Sequence, residues 1–148
     1  MRGLYISFAV LLLAAGGYAE EKTTSYWLTE ERDAVVALTE GEDGLLSGRI
    51  VWLEQGEDEP DKDIHNPDPK LRDRDLVGLE IVSGFKRASK NKWKGGEVYD
   101  PESGKTYYGK LEFEGDTLKL RGSLDKWGLL GRSATWTRTE FPRKKDLE

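Results

Sequence analysis

"WKGGEVYDPESGKTYYGKLEFEGDTLKLRG", residues 93–122, holds two tight reversals between three runs of alternating apolar and polar residues. Asp100-Pro101-Glu102-Ser103-Gly104 has Pro where its fixed φ starts a turn and Gly where a positive φ is tolerated. Glu114-Gly115-Asp116 leaves room only for a short turn. Neither connection has the length of a crossover helix, so the runs at 96–99, 106–113 and 117–124 are read as an antiparallel meander. The alternation is sharp in the last of them: Leu118, Leu120, Gly122 and Leu124 face one way, Thr117, Lys119, Arg121 and Ser123 the other.

The same period of two extends outward in both directions. Short strands are predicted at 26–28, 34–38, 45–53, 77–85 and 133–139, which brings the total to about eight. Between them, residues 54–75 contain three prolines and many acids and read as a long exposed loop or a broken short helix. No long helical pattern is present to cover the apolar face of such a sheet. A closed barrel or a two-sheet sandwich remains, and a small barrel also removes exposed strand edges, so the predicted fold is an all-β, antiparallel up-and-down barrel. Gly48, Gly78, Gly109 and Gly122 fit places where such a sheet bends or lets an aromatic ring lie across it.

The amino terminus carries a different message. Met1-Arg2 is a short positive segment, 4–15 is almost unbroken apolar sequence, and Gly17-Tyr18-Ala19 offers small residues at the positions a signal peptidase reads. Residues 1–19 are therefore expected to be a cleaved signal peptide and 20–148 a single periplasmic or secreted domain, with no stable membrane insertion after cleavage. The chain of 148 residues has no cysteine, so its stability must come from packing and backbone pairing. Removing Arg2 from the 23 Lys and Arg leaves 22 basic residues against 28 acidic, a net charge of about −6, which speaks against a nucleic-acid partner.

Several motifs, in this order and spacing, carry a resemblance. They are Trp27-Leu28-Thr29, Gly48-Arg49-Ile50-Val51, Asn66-Pro67-Asp68 with Leu76-Val77-Gly78-Leu79, and Trp93-Lys94-Gly95-Gly96-Glu97-Val98-Tyr99-Asp100-Pro101. Gly104-Lys105-Thr106-Tyr107 and Leu118 to Gly122 with Gly131 to Arg138 complete the set. Together they resemble the bacterial exported family DUF2147 over nearly the whole mature chain. The resemblance implies a lipocalin-like barrel of unestablished activity.

Candidate site residues follow from the barrel. Trp52, Tyr107, Phe113 and Trp136 are placed as walls of an internal cavity, and Trp27 as a plug of one barrel end. Arg49, Arg121 and Arg138 are placed at the rim as a clamp for a carboxylate such as a fatty-acid head, with Glu80 and Glu97 as possible acidic partners. Catalytic chemistry has little support: Glu97 and Asp100 fall on opposite faces, and His65 is the sole histidine. Asp58, Asp61, Asp63 and Asp68 lack calcium-loop spacing, so no metal and no cofactor is expected and the acidic run is read as solvated. The leading function is binding of a small apolar or amphipathic ligand. The alternatives are a filled barrel acting as an envelope structural or interaction module, and an enzyme of unknown class.

Overall fold

The computed structural model describes residues 23–58, 60–124 and 131–142. Eight strands run in sequence: β1 (Thr24–Leu28), β2 (Ala34–Glu40), β3 (Leu45–Leu53), β4 (Glu80–Arg87), β5 (Lys92–Asp100), β6 (Lys105–Glu114), β7 (Thr117–Ser123) and β8 (Gly131–Thr139). Each pairs antiparallel with its neighbour, and β1 pairs with β8 to close the barrel. The meander over 93–122 is present as read, with Glu97 opposite Tyr108 and Leu111 opposite Leu120. The predicted signal peptide and Trp127 lie outside the described residues.

Successive connections alternate between the two ends of an up-and-down barrel, and here the ends differ. The β2–β3, β4–β5 and β6–β7 reversals are short, and the half of the interior nearest them is solid. Trp27, Leu38, Val82, Phe85, Leu111 and Leu118 are fully or almost fully buried there. Trp27 meets Phe113 edge-on at 5.3 Å, donates from Nε1 to Ser25 Oγ at 2.8 Å, and carries the Arg138 guanidinium 5.1 Å above its ring. The Phe85 ring lies where a Cβ on Gly96 would stand, so only glycine fits beneath it.

Two segments differ from the sequence reading. Residues 77–79 precede β4 rather than belonging to it: Gly78 N donates to Ile50 O at 2.7 Å and Leu79 O accepts from Ile50 N at 3.0 Å, so this stretch clamps the middle of β3. Gly78 is accordingly a loop glycine with φ 93°, not a strand bend. The 54–75 run is also more structured than a solvated loop. It contains the 3-10 turn Pro69–Leu71 with Asp68 as its N-cap, and an isolated bridge between Lys62 and Asp75. Leu76, Asn66 and Asp63 are buried.

Candidate functional site

The other end of the barrel is open. The β1–β2 turn, the long 54–79 connection, the β5–β6 turn and the adjoining ends of β7 and β8 surround a cavity of about 420 Å³. Its depth is apolar, lined by Val36, Ile50, Ile81, Val98, Leu120 and Trp136, and its mouth is polar. Strand alternation explains the depth: Leu118 and Leu120 on β7 and Ile50 on β3 share the inward face. A space of this size and lining is within the ordinary range for small-molecule sites.

The alternation breaks near the end of β3, with consequences for the site. Val35 pairs with Trp52 and Val36 with Ile50, so Val51 is an extra residue on β3 without a partner on β2. Such a bulge inverts the faces beyond it. Leu53 enters the cavity and Trp52 stands on the outer side with Val35. The expectation that Trp52 lines the cavity is therefore corrected.

Two polar clusters lie at this end, one joined to the mouth through Tyr99 and one lining it. In the first, Asp63 has no solvent exposure, yet its carboxylate is fully surrounded by donors. Oδ2 accepts from Asn66 Nδ2 at 2.8 Å and Arg74 Nε at 3.0 Å, with Arg74 Nη2 at 2.9 Å; Oδ1 accepts from the Tyr99 hydroxyl at 2.5 Å. This ties the 54–79 connection to β5. Burial, followed by the Asp63 contact, pushes the Tyr99 hydroxyl up to about 12. In the second cluster, Arg132 Nη1 lies 3.2 Å from Asp100 Oδ2. Its hydrogen bond with Tyr107, and then the Asp100 charge, raise its pKa further and keep it protonated.

The residues expected at the site are thus divided. Tyr107 and Trp136 line the cavity together. Phe113 does not: it packs on Trp27 in the solid half, because β6 runs from the open end at Tyr107 to the closed end at Phe113. Arg49 lies on the outer wall, 3.2 Å from Glu80 and donating to Gly78 O at 3.0 Å. Arg138 belongs to the closed end, above Trp27 and 3.9 Å from Asp116. Arg121 borders the cavity from the outer face of β7, between inward-facing Leu120 and Gly122. A three-arginine clamp at the mouth is therefore not formed. Arg132 and Asp100 take the mouth instead, and the Asp63 cluster reaches it only through Tyr99. Asn66-Pro67-Asp68 followed by Arg72 and Arg74 was the available signal, since Asn66 Oδ1 accepts from Asp68 N at 2.9 Å and Arg72 Nε donates to Asn66 O at 2.7 Å.

Among the described residues no group of three His, Asp or Glu side chains is arranged to hold a metal ion. His65 is exposed at the mouth, and its carbonyl packs against Gly104. Glu97 is exposed on the wall opposite Tyr108, away from Asp100.

Residues 25–138 match the profile of a family described as "Uncharacterized protein conserved in bacteria (DUF2147)". Among solved structures the chain is similar to protein HP1028 from the human pathogen Helicobacter pylori, which is described as belonging to the lipocalin family. The two are 30% identical, the match covers 84% of this chain and 87% of that one, and the TM-score is 0.72. No curated protein matches the chain.

Proposed function

This chain belongs to the DUF2147 family, and from that premise we propose that it binds one small amphipathic molecule in the open half of its lipocalin-like barrel. The observation that carries the reading is the contrast between the two halves. One is filled by fully buried side chains around Trp27 and Phe85, and the other keeps a cavity of about 420 Å³ with an apolar depth and a polar mouth. The filled-barrel alternative describes only the closed half.

The mouth also bears on the head group. Arg132 is engaged by Asp100 and Lys62 by Asp75, so two of the four cations that border the cavity are already neutralised, while Lys110 and Arg121 project from the outer faces of β6 and β7. Glu31, Glu54 and Glu102 line the opening without an ion-pair partner among the described residues. An added carboxylate there meets like charge, whereas an uncharged or cationic head does not. The ligand read from this mouth is an alkyl chain with a neutral or cationic head, rather than a fatty acid. The reading includes export, because the leader over 1–19 directs the mature chain to the periplasm or beyond; fractionation with amino-terminal sequencing should find it beginning near Glu20.

Native mass spectrometry of unextracted protein, followed by titration with dodecanol, dodecyltrimethylammonium and laurate, tests the proposal. Binding of the first two, with laurate at least about tenfold weaker, is expected at low salt. Failure of all three to bind would remove the ligand-binding reading. Preferential binding of laurate would preserve the cavity and overturn the head-group assignment.

A further inference from the structure

The outer wall across β4 to β7 carries four cations that the strand register sets side by side. Lys86 stands opposite Lys94, Lys94 opposite Lys110, and Lys110 opposite Arg121. All four are exposed, and none has an acidic partner among the described residues. Like charges directly opposite one another weaken a sheet. The chain holds 28 acidic residues against 23 basic, so an unrelieved row of cations runs against its overall charge. The neighbouring rows are balanced differently: Lys92 meets Glu112 and Lys119 meets Glu114 on one side, while Glu97 stands opposite Tyr108 on the other.

We propose that this row binds a linear acidic polysaccharide along the outer wall; two of its members, Lys110 and Arg121, also border the cavity. Adjacent strands are about 4.8 Å apart, so the four cations span about 14 Å across the strands. Four strands of an eight-stranded barrel also turn through a large part of its circumference. A flat bilayer meets only part of such an arc, whereas a flexible chain follows it. A polysaccharide with one anionic group per sugar offers charges in a short, regular repeat that long Lys and Arg side chains reach. An extended acidic peptide shows same-side carboxylates only about every 6.8 Å and falls out of step. Single-stranded nucleic acid would call for several stacking rings, and exposed Tyr108 supplies one beside Lys110, suited to the face of a sugar.

The test titrates the full chain with a galacturonate decamer at low and at physiological salt. Binding at low salt that weakens at least about tenfold at physiological salt is expected. Lys94→Gln/Lys110→Gln should lose at least about tenfold in affinity, while the charge-matched Lys70→Gln/Lys90→Gln stays within about twofold. The first variant should melt no lower than the wild type, because the substitution relieves repulsion, so its loss of binding is not unfolding. Absence of decamer binding, equal losses from the two variants, or a lower melting temperature for the first would overturn the proposal. Tighter binding to phosphatidylglycerol vesicles, oligothymidylate or polyglutamate would also overturn it, in favour of a membrane, nucleic-acid or peptide partner.

Discussion

A carboxylate without solvent exposure is tolerable only where donors surround it, and Asp63 has donors from Asn66, Arg74 and Tyr99 on both of its oxygens. Removing the acceptor leaves the Tyr99 hydroxyl and the buried Asn66 amide without it, while the partly exposed Arg74 guanidinium turns to water. Asp63→Ala should therefore cost about 3 kcal/mol in denaturant unfolding, with Asp63→Asn losing less because one oxygen still accepts. Tyr99 gives this cluster a pH limit. Its hydroxyl is held at about 12, above its ordinary 10.0, by burial and then by Asp63. The unfolded chain thus ionises first as the pH rises, so the stability from this contact is fully present below pH 10 and lost between 10 and about 12. Melting temperatures followed through that window should fall more steeply for the wild type than for Tyr99→Phe, in which the titrating group is gone.

At the scale of the strand, the extra residue Val51 decides which tryptophan meets the ligand. Trp136 lines the cavity and Trp52 is carried to the outer side, so a bound alkyl chain should change Trp136 emission. The ligand-induced change is expected to persist in Trp52→Phe and to be largely lost in Trp136→Phe; the reverse result would place the bulge elsewhere. This element also shows what was legible beforehand. Period-two alternation and the turns at Asp100–Gly104 and Glu114–Asp116 announced the strands, since both signals are local. The bulge was not legible, because Ile50-Val51-Trp52-Leu53 is apolar throughout and gives no alternation by which to detect a slip. The 54–75 run misled for a different reason. Its composition is that of a solvated loop, and the burial of Asp63 depends on Arg74 and Tyr99 arriving from 11 and 36 residues away. Arg138 was misplaced because alternation gives the face of a strand but not which end of the barrel a residue reaches, whereas Arg49 sits on the outer face beside inward-facing Ile50.

For the whole molecule, separating a solid half from an open half means that stability and binding respond to different residues. Phe85 is fully buried, lies across Gly96, and does not line the cavity. Phe85→Ala should cost about 3–5 kcal/mol through lost packing, yet the folded fraction should still bind dodecanol. Ala134 is half-buried on β8 and lines the cavity, so a larger side chain there enters existing space rather than a packed core. Ala134→Phe should change stability by less than about 1.5 kcal/mol and reduce binding by at least about tenfold. Mass action provides one measurement for both effects. Ligand at a hundred times its Kd stabilises the form that binds it by about 2.7 kcal/mol. The melting temperature of the wild type and of Phe85→Ala should therefore rise on adding dodecanol, the second from a lower starting value, while that of Ala134→Phe should stay nearly fixed. If Ala134→Phe responds as the wild type does, dodecanol sits somewhere other than the open half. If Phe85→Ala is no less stable than the wild type, the division of the interior into a packed half and a binding half fails with it.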